Sequence, residues 1–320
     1  MPLPVYFAPL EGATDATFRS VHHRHFTGID KYFIPFISPT QNLVLTPKER
    51  FDVSPDNNAG MHAVPQVLTK DAGHFLWAAQ LLEEMGYREI NLNLGCPSGT
   101  VTGKGKGAGF LLDPFALERF LDEIFSRCPL RISLKTRIGF TSPDEFDRLL
   151  ELYNQYPVSE LIVHPRTRAQ FYKGKADREA YGKAIAQSQL PMVYNGDLFT
   201  AEDCHALEAQ YPSHALMIGR GLQANPALAR EYAGGPRITA AEMQAFVEDL
   251  MLAYQHRHPN NVVLGRMREV LKNMVCCFDS AEKVLKAIRK ANSVEAIEIA
   301  GCRLFQECPL RENPGFYPER

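Results

Sequence analysis

Residues 192–226, MVYNGDLFTAEDCHALEAQYPSHALMIGRGLQANP, contain one complete strand–helix–strand pattern. An apolar run at 192–195 is followed by an amphipathic stretch at 201–209 and a second apolar run at 215–219. This order predicts two parallel strands joined by a crossover helix. Repetition of the pattern along the chain then decides the fold.

Six further apolar or β-branched runs lie upstream, at 5–7, 32–37, 64–68, 89–94, 132–138 and 161–164. Amphipathic stretches at 72–85, 115–126 and 143–153 separate several of them. Residues 41–62 contain proline, asparagine and charge with little periodicity, and we predict a loop there. Eight strands over about 220 residues fit a (β/α)8 TIM barrel better than a doubly wound sheet, because such barrels take ~250 residues.

The pattern changes after the Ala-Gly-Gly-Pro segment at 233–236. Four stretches with helical periodicity follow, at 239–254, 262–277, 281–290 and 294–305, and no strand-like run interrupts them. We therefore predict an α/β fold, with a TIM-barrel domain at 1–235 and a small all-helical C-terminal domain at 236–320.

The composition of the 320-residue chain is that of a globular protein, with 45% hydrophobic and 22% charged residues. The net charge of −2 does not by itself indicate nucleic acid or membrane. The seven cysteines form no C-x-x-C pair, which suits a reducing cytosol, and no run approaches the ~18 apolar residues of a membrane span. We expect a soluble cytoplasmic protein without a metal site, a membrane contact or a stable protein partner.

Polar side chains stand at the ends of seven of the eight predicted strands, where TIM barrels carry their active sites. They are Glu11, Gln66, Asn93 with Cys96, Lys135 with Arg137, His164 with Arg166, Asn195 with Asp197, and Arg220. Each has a structural alternative: Gln66 could be a barrel-layer residue, Asp197 a helix N-cap and Lys135 half of an ion pair. Their occurrence at successive strand ends nevertheless indicates an active site.

The last two strands predict a phosphate site. Asn195, Gly196, Asp197, Gly219 and Arg220 follow them, at the position where barrel enzymes commonly bind phosphate. A phosphorylated cofactor there would direct its ring towards Lys135 and Gln66. The glycine-rich segment GKGKGAG at 103–109 fits neither a Walker nor a Rossmann spacing, so its glycines are interpreted as loop hinges.

Several motifs together resemble those of the tRNA-dihydrouridine synthases. They are APLEGATDATFR, NLNLGCPSGTV followed by GKGAGFLLDP, SLKTRIGF, VHPRTRAQFYKG, YNGDL and MIGRGLQANP. They occur in the family's order, and the resemblance covers roughly residues 5–226. The resemblance implies an FMN-containing barrel that uses NADPH to reduce selected uridines of tRNA to 5,6-dihydrouridine.

The resemblance also implies roles for individual residues. Pro9, Leu10 and Glu11 would lie beneath the flavin ring, Gln66, Lys135 and His164 around it, and Asn195, Gly196, Asp197, Gly219 and Arg220 at the ribityl phosphate. Cys96 would be the catalytic cysteine. The chain departs from the family at Pro165, where glycine is common, and at Leu10 and Glu11, where methionine and alanine are common.

The chemistry favours Cys96 as a general acid over a nucleophile or a metal ligand. A thiol is mostly protonated at neutral pH, and the sequence places no histidine beside it. The target base must leave the RNA fold to enter the pocket. The tRNA contacts predicted around the mouth and on the tail are Asn93, Lys104, Lys106, Arg137, Arg166, Arg168, Arg266, Arg268 and Lys272. The alternatives are a flavin-dependent reductase of a small pyrimidine and a non-catalytic RNA-binding barrel.

Overall fold

The computed structural model describes residues 2–317, and its centre is a closed barrel of eight parallel strands. The strands are β1 (Val5–Phe7), β2 (Lys31–Ile37), β3 (Ala63–Val67), β4 (Glu89–Leu94), β5 (Arg131–Arg137), β6 (Leu161–His164), β7 (Met192–Tyr194) and β8 (Ala215–Ile218). Each strand pairs with the next along the chain, and β8 pairs with β1 to close the barrel. The predicted TIM barrel is therefore confirmed.

Helices surround the barrel and continue beyond it. Those between or after the strands are α1 (Ala16–His25), α2 (Pro47–Val53), α3 (Ala72–Glu84), α4 (Gly99–Thr102), α5 (Pro114–Arg127), α6 (Glu145–Tyr153), α7 (Arg178–Gln187), α8 (Ala201–Gln210), α9 (Arg220–Ala224) and α10 (Leu228–Tyr232). The C-terminal helices are α11 (Ala240–Arg257), α12 (Asn260–Met274), α13 (Glu282–Lys290) and α14 (Val294–Glu307). Short 3-10 helices lie at Pro55–Asn58, Gly107–Leu112 and Val275–Cys277.

The strands consist mainly of apolar residues, and both of their faces are buried. Inward side chains such as Tyr6, Phe33, Ile162 and Met217 form a small cluster inside the barrel. Outward side chains pack against the helices in a larger cluster. A parallel strand covered on both sides is a nearly continuous hydrophobic run, which is why these short strands could be recognised in the sequence.

The amino-terminal end of the barrel carries charges that neutralise one another. Lys31 Nζ lies 3.0 Å from Glu89 Oε2 and 2.9 Å from Glu160 Oε2. The hydroxyl of Tyr6 donates a hydrogen bond to Glu160 Oε1 at 2.6 Å. These groups are paired with one another, so their role at this end of the barrel is structural.

The prediction of a loop at 41–62 is wrong in part. Helix α2 lies within it, where Thr46 and Glu49 form a reciprocal capping box in front of Pro47. Beyond the helix, the Asn58 amide oxygen accepts a 2.8 Å hydrogen bond from the buried Arg19 guanidinium. Two helical turns are too short to show a periodic pattern, and the signal for this helix was its capping residues.

The C-terminal helices pack against the barrel through α1. Phe246 on α11 meets Phe18 edge to face with ring centroids 5.7 Å apart. The Tyr254 hydroxyl donates to Asp15 Oδ1 at 3.0 Å. Four helices at the predicted positions confirm the helical tail; its division from the barrel at residue 235 remains a prediction.

Candidate active site

A pocket opens at the carboxyl ends of the strands, above the cluster that fills the barrel. Its lining residues come from the last residues of β5, β6 and β8 and from the segments that follow β1, β6, β7 and β8; they are Ala8, Pro9, Leu10, Lys135, His164, Tyr172, Asn195, Gly196, Asp197, Leu198, Phe199, Met217, Ile218, Gly219 and Arg220. Nine of the eleven predicted cofactor residues are in this set, the exceptions being Gln66 and Glu11. Nine of the predicted residues therefore line one pocket, and their contact with a cofactor remains a prediction.

Lys135 has neither a hydrogen-bonding nor a carboxylate partner among the described residues. It lies on β5, level with Asn93 on β4. Burial, followed by the charge of Arg137, lowers the pKa of Lys135 to about 7. No hydrogen bond to its Nζ is found among the described residues, and the single carboxylate in the described pocket lining is Asp197. An ammonium placed in this way favours an anionic or electron-rich ligand.

His164 ends β6 and faces the same cations. Burial, followed by the charges of Arg137 and Lys135, holds the pKa of His164 well below its usual range. Arg166 Nη1 lies 3.1 Å from His164 Nε2. A guanidinium only donates, so Nε2 accepts and the neutral ring carries its proton on Nδ1. His164 is thus a neutral hydrogen-bond donor in the pocket.

Asp197 holds two arginines together. Its backbone is left-handed, with φ of 43°. Oδ1 accepts from Arg166 Nη1 at 3.0 Å and from Arg220 Nη2 at 3.1 Å, while Oδ2 accepts from the backbone N–H of Ala176 at 2.9 Å. Asp197 does not cap a helix, because Thr200 caps α8. Its carboxylate is neutralised by arginine, and a direct contact with the cofactor remains a prediction.

A chain of amides connects β3 with the loop that carries Cys96. Gln66 Nε2 donates to Asn91 Oδ1 at 2.7 Å, and Gln66 Oε1 accepts from Asn93 Nδ2 at 2.7 Å. Asn93 Oδ1 in turn accepts from the backbone N–H of Cys96 at 2.9 Å. These bonds fix the Gln66 amide with one Nε2 hydrogen left for another acceptor, and they anchor the backbone of Cys96.

The Cys96 thiol is free and partly exposed. It lies close enough to Lys135 and Arg137 to interact electrostatically with both. No hydrogen bond of the Cys96 thiol, to His164 or to another residue, is found in the described part of the chain. The thiol therefore interacts electrostatically with two cations of β5 and has no imidazole base hydrogen-bonded to it.

The glycines after Cys96 allow close packing. A Cβ on Gly107 would lie 3.0 Å from the Cys96 Cβ, and Gly107 has φ of 56°. A Cβ on Gly109 would lie 2.6 Å from the Thr102 carbonyl oxygen. Helix α4 and the following 3-10 helix thus fold tightly onto the Cys96 backbone. This gives these glycines a structural reason other than the predicted hinge.

Two of the predicted cofactor residues lie outside the pocket lining. Glu11 is exposed and forms an ion pair with Lys48 on α2. Gln66 is 1% exposed and is held in the amide chain below the pocket. Their contacts with flavin remain predictions, and the partner of Glu11 in the structure is Lys48.

The predicted tRNA residues fall into two groups. Arg137 and Arg166 are buried: Arg137 donates to the carbonyls of Gly95, Thr167 and Phe171, and Arg166 pairs with Asp197. Asn93 is buried as well. Lys104 is exposed, and Lys106, Arg168, Arg266, Arg268 and Lys272 are partly exposed. Contact of any of these residues with tRNA remains a prediction.

Several of the remaining basic residues already have partners. Arg266 binds the Gly12 carbonyl and lies 3.4 Å from Asp15, while Arg268 donates to the Ala291 carbonyl at 2.5 Å. Lys272 pairs with Glu269 on the surface of α12. Arg266 and Arg268 therefore hold structure together, whatever else they contact.

Sequence reasoning missed three residues near the site. Tyr172 lines the pocket, and its ring centroid lies 4.9 Å from the guanidinium carbon of Arg220. Its position within the motif VHPRTRAQFYKG could have indicated it. Phe199 follows β7 and contacts Arg220 at 5.2 Å. Lys70, just after β3, lies beside the Cys96 loop and forms a basic cluster with Lys104 and Lys106.

Searches for two other kinds of site gave negative results for residues 2–317. No group of three or more His, Cys, Asp or Glu side chains in that range could hold a metal ion. No helix within the same range is both long and apolar enough to cross a bilayer.

Comparison with known proteins gives a consistent relationship. The sequence profile of the dihydrouridine synthase family matches residues 6–300. A probable tRNA-dihydrouridine synthase of Rhodobacter capsulatus is 29% identical over 225 residues, which covers 70% of this chain and 68% of the relative. The tRNA-dihydrouridine synthase B of Pasteurella multocida is 28% identical over 292 residues, covering 89% and 81%. That of Shewanella oneidensis is 30% identical over 227 residues, covering 70% and 69%.

Among solved structures, morphinone reductase superposes with a TM-score of 0.50 at 12% identity, covering 73% of this chain and 86% of that chain. This likeness shows the shared barrel fold. The family profile, by contrast, extends from β1 through the barrel into α14. The protein therefore belongs to the dihydrouridine synthase family.

Proposed function

We propose that this protein reduces uridines of tRNA to 5,6-dihydrouridine with a bound flavin, and that Cys96 supplies the proton. The observation that carries the proposal is that Lys135 on β5, which has no counter-charge, and the free thiol of Cys96, just after the neighbouring β4, lie at the same end of the barrel. Membership of the dihydrouridine synthase family supports the reaction. The names of the relatives, tRNA-dihydrouridine synthases, support tRNA as the substrate.

We propose that the pocket holds a flavin mononucleotide. Lys135 lacks a counter-charge, so it would bind the electron-rich pyrimidine edge of the ring and stabilise negative charge there. His164 would donate from Nδ1 to a ring acceptor. Arg220 uses one of its N–H groups on Asp197, which leaves donors for a phosphate. Pro9 and Leu10 line the floor as an apolar surface.

Saturation of the uracil C5–C6 bond requires a hydride at C6 and a proton at C5. The flavin, when bound, supplies the hydride, and we propose NADPH as the reductant that restores it. The protein supplies the proton from Cys96 Sγ, as a thiol acting as general acid. Asn93 accepts a hydrogen bond from the Cys96 backbone N–H through its side-chain oxygen, which anchors the backbone that carries the thiol.

The tRNA substrate would be held by exposed cations around the mouth. Lys70, Lys104 and Lys106 form one cluster beside the Cys96 loop. Arg168 lies between the rings of Phe140 and Phe171, at 5.2 and 5.0 Å from their centroids. Lysine clusters of this kind, and the N–H edge of an arginine whose faces are covered, bind RNA phosphates. As a tRNA-modifying enzyme, the protein would act in the cytoplasm.

The experiment expresses the protein in a strain whose tRNA lacks dihydrouridine and maps that nucleoside afterwards. Wild type should restore dihydrouridine at defined positions, and Cys96→Ala should lower its formation by about 100-fold or more. Cys128→Ala, which removes another partly exposed cysteine, is the matched control and should behave as wild type.

Three results would contradict parts of the proposal. If the Cys96→Ala variant restored dihydrouridine as wild type does, Cys96 would not be the proton donor. Reduction of free pyrimidines without any change in tRNA would favour the small-pyrimidine reductase. Binding of tRNA with no flavin and no product would favour the non-catalytic barrel.

A further inference from the structure

The chain after α14 returns to the barrel as an extended segment, residues 309–317, which we call the C-terminal strap. It is anchored first on the 3-10 helix Val275–Cys277 and the residues just after it. The backbone N–H of Arg311 donates to the Cys277 carbonyl at 2.9 Å, and Leu310 forms an antiparallel bridge with Phe278. The strap is thus fixed to the helical region before it reaches the pocket.

The strap is then fitted against the loop after β7. Asn225 Nδ2 donates to the Pro314 carbonyl at 3.2 Å. A Cβ on Gly315 would lie 2.5 Å from the Phe199 carbonyl oxygen and 2.8 Å from Thr200 Cγ2, so a larger residue does not fit there. This close approach brings the Phe316 ring to 5.2 Å from that of Phe199.

Phe316 completes an aromatic enclosure around Arg220. The guanidinium carbon lies 4.9 Å from the ring centroid of Tyr172, 5.2 Å from that of Phe199 and 5.1 Å from that of Phe316. Asp197 binds one of the five N–H groups of Arg220 at 3.1 Å. No other hydrogen bond from this guanidinium is found within the described residues, so the remaining donors are available to the adjoining pocket.

We propose that the C-terminal strap is part of the cofactor site, and that Phe316 is a positioning residue that holds Arg220 for the phosphate of the flavin. The inference rests on the proposed flavin-dependent function. Aromatic faces attract the guanidinium and restrict its orientation, so less freedom is lost when it binds phosphate. They also exclude water from its faces, which strengthens a charge-assisted hydrogen bond.

A comparison of two ligands tests this role. Phe316→Ala should weaken the binding of FMN by about 3- to 10-fold. The binding of riboflavin, which has the same ring and no phosphate, should change by less than about 2-fold. Dissociation constants for both are measured by flavin fluorescence on apoprotein from which the cofactor has been removed.

Matched variants make the comparison specific. Tyr317→Ala removes the neighbouring ring, which stacks on Arg311, and should leave both affinities unchanged. Phe316→Tyr keeps an aromatic face and should retain the affinity of wild type for FMN. In an Arg220→Ala background, Phe316→Ala should have no further effect on FMN. Thermal unfolding of each variant confirms that it is folded.

The outcomes separate the two proposals. If Phe316→Ala weakened FMN and riboflavin equally, the ring would have a general packing role and the positioning role would be wrong. If wild type preferred FMN and Phe316→Ala kept that preference in full, the inference would also be wrong while the flavin site stood. If wild type bound neither ligand, the proposed function itself would fail.

Discussion

At the scale of single residues, the two ends of the barrel differ in their balance of charge. At the amino end, Lys31 is shared between Glu89 and Glu160. At the carboxyl end, Lys135 has no carboxylate partner among the described residues, and Asp197 is occupied by two arginines. An unpaired buried charge costs free energy of folding, and a ligand that pairs with it recovers that cost.

Lys135 gives a prediction for the pH dependence of stability. Its pKa is lowered from the ordinary 10.5 to about 7 in the folded protein. Between these two pH values, the unfolded chain therefore carries a proton on Lys135 that the folded protein has lost. The destabilising effect of Lys135 is therefore complete below about pH 7 and decreases as the pH rises towards 10.5.

Lys135→Met should consequently stabilise the flavin-free protein by about 2 kcal/mol near pH 6, with a smaller gain near pH 9. The measurement is denaturant unfolding of both proteins at the two pH values. Subtracting the free energy of unfolding of wild type from that of the variant at each pH removes the contributions of all other titrating groups. A gain that is equal at both pH values would show that the Lys135 charge is not the cause. The same variant should bind flavin more weakly.

At the scale of elements, the Cys96 loop depends on glycines that leave no room for side chains. Gly109→Ala would place a Cβ 2.6 Å from the Thr102 carbonyl oxygen and displace the loop. A shift of about 1 Å at a catalytic group can cost 100-fold in rate, so dihydrouridine formation should fall at least 10-fold. The affinity for flavin, whose proposed contacts lie on other strands, should change little.

Gly99→Ala is the matched control, because a Cβ there would meet no atom within 4 Å. It lies in the same loop and should keep the activity of wild type. Turnover is measured on tRNA under saturating reductant for both variants. Full activity of Gly109→Ala would mean that the loop is mobile enough to absorb the added methyl group, as the hinge interpretation of the sequence would have it.

How far the sequence predicts the site differs between elements. Lys135 and His164 could be located because each lies in the last three residues of a recognisable apolar strand. The pairing of Asp197 with Arg166 and Arg220 could not, because it joins the segments that follow three different strands and needs a left-handed backbone at a residue other than glycine. Helix α2 was missed because its signal lies in its capping residues.

Phe316 illustrates a different limit. It belongs to no helix or strand and has no motif, and its position follows from the tight fit of Gly315 against the loop after β7. Close approaches of this kind depend on tertiary packing between segments that are distant in the chain. No local pattern of residue types records them.

At the scale of the whole molecule, the helical region and the barrel are connected by polar groups as well as by packing. Arg266 on α12 pairs with Asp15 in front of α1 and binds the Gly12 carbonyl. Lys272 lies on the same helix, faces solvent and pairs with Glu269. The two residues were predicted together as tRNA contacts, yet their surroundings differ.

We expect Arg266→Ala to lower the free energy of unfolding by about 1–3 kcal/mol, since it leaves the buried Asp15 carboxylate without its charged partner. Lys272→Ala should leave stability unchanged within about 0.5 kcal/mol. It should instead weaken tRNA binding and reduce its salt dependence by about one unit of log–log slope. Unfolding and salt-dependent binding assays on both variants distinguish the roles. Equal stability of Arg266→Ala and wild type would contradict the bridging role of Arg266.

The most direct measurement for the whole molecule uses purified protein, unmodified tRNA, FMN and NADPH. Nucleosides from the product are analysed by mass spectrometry, with Cys96→Ala in parallel. We predict that wild type adds two hydrogen atoms to uridine at defined positions, and that Cys96→Ala binds flavin and oxidises NADPH yet forms little dihydrouridine. Flavin-bound wild type that leaves every uridine of tRNA unchanged would contradict the assignment of this protein as a tRNA-dihydrouridine synthase.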